Sequence, residues 1–304
     1  MSDTLILEVF TFAVLALLAL DFVLQGRDPQ PMRPGKAGLM TAFWISLSLL
    51  FGAFVWQTHG STKGLEFYTG YLIEYSLSVD NLFIFVALFG YFRVRNEFQH
   101  RVLFWGIIGA MILRGAMILI GVALVTRFSW ILYGFGAFLI LTGFNMILHR
   151  GVPGSDMGKN KVLKFLRATL PISSEAHSPH LLIKTSGKWM LTSLGLVLLM
   201  VEATDLIFAM DSIPAVFAVT QDRLIIFTSN ICAILGLRSL YFILAGGMKK
   251  FIYLKVGLSV ILIFVGAKML FKLWFHPSIL VSLGVIVGVL GASMMASLFK
   301  RDLQ

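Results

Sequence analysis

Charge is what this chain has least of. Only 13% of its 304 residues are Asp, Glu, Lys or Arg, about half the usual share of a soluble domain, while 58% are hydrophobic. That shortage excludes a water-soluble enzyme, because too few polar residues remain to cover a core of this size. Cysteine is nearly absent: Cys232 stands alone, which rules out an internal disulfide. Acids are scarcer than bases, 15 against 25, and the net charge of +10 raises the question of nucleic acid. What is abundant answers it. Uninterrupted apolar runs of roughly twenty residues recur from end to end, each the length that crosses a bilayer.

Nine such runs are read, at 5–24, 39–57, 66–90, 102–125, 128–148, 189–219, 224–247, 251–271 and 279–299. Each must be helical, because hydrocarbon offers no partner to an open backbone group. The expected fold is therefore all-α, one transmembrane domain of about nine helices in contact with the lipid bilayer. Sorting the basic residues by connecting segment puts 17 of the 25 on one side, four (Lys63, Arg127, Arg223, Lys272) on the other, and four within spans. By the positive-inside rule the N-terminus is outside and the C-terminus cytosolic, so the basic excess is topology rather than a nucleic-acid footprint. Trp44, Trp56, Trp105, Trp130, Trp189 and Trp274 fall near run ends, where an amphipathic ring favours the headgroup level. Asp3 and Glu8 replace a basic leader, so the first run reads as a retained helix.

One connection is long, 149–188, and is read as a cytosolic loop. Val162, Phe165, Leu166 and Leu170 among its lysines predict a surface helix on the cytosolic leaflet. His177, His180 and Glu175 have a weak metal-binding spacing there, and a solvated loop is the preferred reading. The loop separates two similar halves. An offset of 123 aligns Phe128, Gly134, Leu139, Ile140, Gly143 and Met146 with Phe251, Gly257, Leu262, Ile263, Gly266 and Met269. An offset of 124 aligns Leu113-Arg114 with Leu237-Arg238, and one of 131 aligns Glu74, Asp80, Asn81 and Ala87 with Asp205, Asp211, Ser212 and Ala218. The unit is three helices, 66–148 against 189–271, with 5–57 and 279–299 peripheral. Three spans per unit make the copies inverted, the arrangement of secondary transporters that alternate access around a midplane site.

Five carboxylates lie within spans: Glu74, Asp80, Glu202, Asp205 and Asp211. Each opposes insertion by roughly 2.5–3.5 kcal/mol, so each needs a partner. Arg114 and Arg238 are the deep bases and Lys268 lies closer to an end, which leaves two or three negative charges for protons or a bound cation to match. Glu74, Ser78 and Asn81 share a helix face at i, i+4, i+7, as do Asp205 and Ser212, whereas Asp80 and Asp211 point elsewhere. Pro214 and the excess length of spans three and six suggest local unwinding near 78–81 and 210–214, which would add carbonyl oxygens. Such an oxygen set suits Mn²⁺, Mg²⁺ or Ca²⁺, with Met210 either a softer ligand or plain packing. Structural ion pairs account for part of the set, since two arginines pin about two acids. Asp21 and Glu66 sit near span ends and read as solvated, Glu66 with an accessory role at the site as the other option.

Four stretches resemble the signatures of the TerC family, including its Alx-type members. They are Glu74-Tyr75-Ser76-Leu77-Ser78-Val79-Asp80-Asn81, then Gln99-His100-Arg101-Val102-Leu103-Phe104-Trp105-Gly106. The third runs Glu202-Ala203-Thr204-Asp205-Leu206-Ile207-Phe208-Ala209-Met210-Asp211-Ser212-Ile213-Pro214-Ala215. The last is Ser229-Asn230 leading to Gly236-Leu237-Arg238-Ser239-Leu240-Tyr241-Phe242. The resemblance covers roughly 60–300. It implies a bacterial inner-membrane protein, historically labelled for tellurite resistance and associated with Mn²⁺ export. Glu74, Asp80, Glu202, Asp205 and Asp211 would then hold the metal, with Asn81 and Ser212 as neutral ligands. Three positions depart from the family pattern: Asn145 stands where a lysine is common, and Arg95 and Ser193 each replace a proline.

The leading expectation is a transporter exporting Mn²⁺ that is secondary and coupled to protons, since no P-loop is present to hydrolyse ATP; no resident cofactor and no enzymatic activity are expected. A non-transporting component of a tellurite or metal-stress complex is the alternative. An intramembrane aspartyl protease is a third, disfavoured because Val79, Thr204 and Met210 precede the aspartates. Gly284, Gly288 and Gly291 form a ladder suited to a homodimer, although close packing within the monomer is preferred.

Overall fold

In the computed structural model, residues 3–26, 34–128, 130–148, 161–173, 180–185, 188–245, 253–271 and 277–299 are described. The helices are α1 (Asp3–Gly26), α2 (Pro34–His59), α3 (Ser61–Tyr91), α4 (Asn96–Arg127), α5 (Ile131–Leu148), α6 (Lys161–Thr169), α7 (Ser193–Phe217), α8 (Arg223–Leu235), α9 (Leu237–Ala245), α10 (Leu254–Leu270) and α11 (Ile279–Phe299). Among the described residues eight stretches are long and apolar enough to cross a membrane, α8 and α9 together forming one. The apolar run at 251–271 becomes α10, a 17-residue helix. The protein is an all-α polytopic membrane protein.

Several expectations need correction. The chain does not unwind near 78–81 or 210–214: α3 runs unbroken for 31 residues and α7 continues through Pro214. A proline one turn from a helix end removes one donor and little else, and Ala218 still donates to the Pro214 carbonyl at 3.2 Å. The excess length projects beyond the hydrocarbon or tilts instead, since 31 residues span about 46 Å. An interruption does occur, at Gly236 between α8 and α9. The sixth run starts later than expected because Lys188–Leu191 (β2) pairs antiparallel with Leu182–Thr185 (β1), and Thr192 caps α7 by accepting from the Gly195 N–H at 3.1 Å. Trp44 is core rather than interfacial, because α2 begins at Pro34 and carries it three turns inward.

The loop helix predicted from Val162, Phe165 and Leu166 forms as α6. Leu163 seats it against the bundle while Phe165 faces outward. Glu175 and His177 lie outside the described residues, as does Trp274. Among the described residues nothing packs on the glycine ladder of α11, since a methyl at Gly284, Gly288 or Gly291 would meet no atom within 4 Å.

The central helices pack in matched pairs: α3 against α8, α4 against α7, and α5 along α10. On the α5–α10 seam Gly136 lies against the backbone of Gly266, and Gly143 against that of Ser259. The opposed numbering makes the helices antiparallel. A methyl at Gly266 would stand 2.6 Å from the Gly136 carbonyl oxygen, so no side chain fits between them.

Candidate cation site

Arg114 is the centre of the buried charge. Midway along α4 it is wholly inaccessible, and its fork grips Asp205 of α7 with Nε at 2.9 Å and Nη2 at 2.7 Å. Its Nη1 meets Glu74 of α3 and donates to Asn230 of α8 at 3.4 Å. The Asn230 amide in turn donates to Glu74 Oε2 at 2.9 Å, and Ser78 donates to Glu74 Oε1 at 3.3 Å. Four helices therefore converge on two carboxylates and one guanidinium. Glu74 is fully buried and Asp205 is 4% exposed, so the ionised set carries one uncompensated negative charge out of reach of water.

The other predicted residues fall around this centre. Glu202 is one turn before Asp205, pressed against the bare backbone of Gly109. Its Oε2 is buried without a hydrogen-bond partner. Asp211, six residues beyond Asp205 and so about 120° round the helix, accepts from Thr142 of α5 at 3.2 Å. Ser212 returns to the Asp205 face, 2% exposed, with its hydroxyl unpartnered. Asn81 is buried on α3, and Asp80 lies on the same helix with its side chain outside the described set. Met210 is half exposed on the outer surface of α7, away from the acids. Among the described residues no three His, Cys, Asp or Glu side chains close into a metal cage; a guanidinium stands where Glu74 and Asp205 would share a cation.

Arg238 does not join the centre. It pairs with Asp21 of α1, and both are at least 90% buried. The expectation of a solvated Asp21 is thus corrected: α1 turns the residue inward. Lys268 donates to Ser282 of α11 at 3.2 Å. Glu66 accepts from Thr220 at 2.6 Å and lies 3.5 Å from Lys63, which also holds Asp222 at 2.6 Å. That cluster ties the start of α3 to the α7–α8 turn.

Asp222 also caps α8, accepting from the N–H groups of Leu224 at 2.9 Å and Ile225 at 3.4 Å. Burial alone would raise its carboxyl, but the Lys63 ammonium and those two N–H donors outweigh it and hold the group below its ordinary value. A depressed pKa contributes stability above the unfolded value, about 3.9, which disappears as pH falls through the folded one. Asp222→Ala is therefore expected to cost about 1 kcal/mol near neutral pH. Melts of wild type and variant in detergent should draw together as pH falls through the depressed folded value.

A bundle of apolar helices around a desolvated charge centre defines an integral membrane protein with buried charge between its helices. The integral membrane protein TerC family matches residues 59–304, and the chain belongs to that family. It is 48% identical over 291 residues to an uncharacterised membrane protein of Myxococcus xanthus, STKORF319, covering 96% of this chain and 91% of that one. It is 46% identical to Alx of Escherichia coli K12 over 291 residues, covering 92% and 90%, a protein whose name proposes a membrane-bound redox modulator. A Rickettsia bellii membrane protein is 36% identical over 297 residues, covering 97% of each. No solved structure matches the chain.

Sequence reasoning missed three contacts around the centre: Gly109 with Glu202, Asn230 with Glu74, and Arg238 with Asp21. The Ser229-Asn230 pair was visible as a motif, but only packing shows that its amide bridges α3 to Arg114.

Proposed function

We propose that the chain is a secondary transporter exporting a hard divalent cation, Mn²⁺ foremost, from the cytosol across the bacterial inner membrane, with protons using the same carboxylates. The observation that carries this reading is the sharing of one guanidinium by Glu74 and Asp205, which stand at equivalent positions of the 131-residue offset and come from different helices. Together they leave a negative charge for a cation or proton to complete. The groups in contact with the acid pair, Arg114 apart, offer oxygen: the carboxylates themselves, the Asn230 amide and the Ser78 hydroxyl, with the Ser212 hydroxyl two turns further along the Asp205 face. That chemistry favours Mn²⁺, Mg²⁺ or Ca²⁺ over Zn²⁺ or Cu⁺.

The packing pairs support an inverted repeat. Under the repeat offsets α3 maps to α7, α4 to α8–α9 and α5 to α10, so the α3–α8 contact is the counterpart of α4–α7. The Gly136–Gly266 contact likewise becomes Ser259–Gly143, the observed partner contact on the same seam. Equivalent helices that run antiparallel are what an in-plane two-fold axis requires. With the N-terminus outside, Glu202 lies on the cytosolic side of Asp205 and Asp211 on the outer side, giving an ion steps on either side of the centre. The acids that meet across helices are bridged by a guanidinium, an arrangement for holding charge rather than a hydrolytic dyad sharing a proton.

The test is Mn²⁺ flux in proteoliposomes under an imposed pH gradient. Neutralising Glu74 and Asp205 together, or Asp80 and Asp211 together, is expected to reduce flux by at least a hundredfold. Flux surviving both pairs of changes would overturn the site. Flux indifferent to the gradient would remove proton coupling, and variants that abolish flux yet still confer tellurite resistance would favour a scaffold.

A further inference from the structure

Arg114 and Arg238 are equivalent in the 124-residue offset, yet they are used unequally. Arg114 holds the acid pair, while Arg238 is held by Asp21 on α1, a helix outside both copies of the repeat. Three features lie between Arg238 and the centre. A small cavity of about 20 Å³, room for a single water, has Asp205 and Arg238 as its polar lining residues. Gly106 and Ala110 keep its α4 wall low. The turn at Gly236, where α8 gives way to α9, falls two residues before Arg238, and a methyl there would sit in ordinary contact with Trp44 and Tyr75 at 3.6 and 3.7 Å, so the joint is packed without being wedged.

We infer that Arg238 is a second, mobile counter-ion for the Glu74–Asp205 pair: parked on Asp21 in this conformation, it crosses the cavity to the acids in the opposite one as Arg114 withdraws. In an inverted repeat the two conformations exchange the roles of the two halves, so the arrangement of Arg114 in one becomes that of Arg238 in the other. The exchange is not symmetrical in strength. Asn230, which supports Glu74 beside Arg114, has Gly106 as its counterpart. The Arg238 arrangement therefore offers the acids one donor fewer, leaving a carboxylate oxygen open to an incoming cation. Asp21 becomes the latch that selects between the two.

This use of Arg238 rests on the transport reading, but the exchange of partners can be measured without transport. In purified full-length protein in detergent, Asp21→Asn should lower the melting temperature modestly, because the freed arginine finds Asp205. Asp21→Asn combined with Asp205→Asn should lower it by more than the sum of the single losses, whereas two independent ion pairs would add. Additive losses overturn the inference. A second measurement covers poor folding of that double variant. If Arg238–Asp21 were only a strut, Asp21→Asn with Arg238→Gln would remove both charges and restore wild-type Mn²⁺ flux, and that recovery would also overturn it. The expected result is flux at least tenfold below wild type in Arg238→Gln and in that double variant, and a smaller reduction in Asp21→Asn alone, which removes the latch but keeps the counter-ion. Wild-type vesicles that move no Mn²⁺ would refute the transport reading and leave the melting cycle to decide the exchange.

Discussion

Arg114→Gln is expected to lower the stability of the folded bundle by about 3–5 kcal/mol, the cost of breaking a buried ion pair from one side. Two carboxylates would remain where Glu74 is fully buried and Asp205 nearly so, with the Asn230 amide and Ser78 hydroxyl as their only neighbouring donors among the described residues. Arg114→Lys should recover only part of this. A single ammonium cannot reproduce the two-pronged grip on Asp205 while also meeting Glu74 and Asn230. Because the defect is unbalanced charge rather than lost volume, Glu74→Gln in the Arg114→Gln background should restore more stability than either change predicts alone. Denaturant melts in detergent would check this. An Arg114→Gln protein within about 1 kcal/mol of wild type would show that the centre is already neutral without the guanidinium.

The membrane fold was legible because it is written in run length, and run length is what a bilayer reads. The ends of the helices were not, because the polar start of α4 (Asn96–Arg101) has none of the apolar run that marks a span, so composition does not show that the helix begins there. Strand pairing at 182–191 was hidden for a related reason: Trp189, Met190 and Leu191 read as the start of a span, and only the hydrogen-bonded register shows them to be a strand. At the site, the offset of 131 placed Glu74 and Asp205 in correspondence, and the structure brings them onto one cation. Asp21–Arg238 could not be inferred the same way. Its acid belongs to a helix with no repeat partner, and its position near the end of an apolar run suggested water. The proline in α7 suggested where the backbone would open, but a proline near a helix end leaves the ladder intact. The interruption is at Gly236, where nothing in the pattern of charges pointed.

Gly109 separates packing from function in a way that one substitution can test. A Cβ at this position would lie 2.1 Å from Glu202 Oε1, so the carboxyl occupies the space a side chain would take. The obstructing atoms are the far end of a flexible side chain, and Glu202 can swing aside; Gly109→Ala should therefore fold, aided by the helix propensity of alanine, worth up to about 1 kcal/mol. What it removes is the seat. In its present place the Glu202 Oε2, one turn from Asp205, is buried without a partner in a half-buried side chain, a place that a proton or a cation would complete, because an unpaired buried oxygen is costly. Under the transport reading this is the step between the cytosol and the Arg114 centre. Gly109→Ala is expected to reduce Mn²⁺ flux by about tenfold, with the melting temperature at or above that of wild type. Glu202→Gln should give a similar reduction. The decisive comparison is the double variant: if Gly109 acts only by seating Glu202, adding Gly109→Ala to Glu202→Gln should change flux little further, as expected of residues that act as one unit. Two reductions that multiply would mean that Gly109 serves the path of the ion directly, and that the carboxyl beside it is incidental.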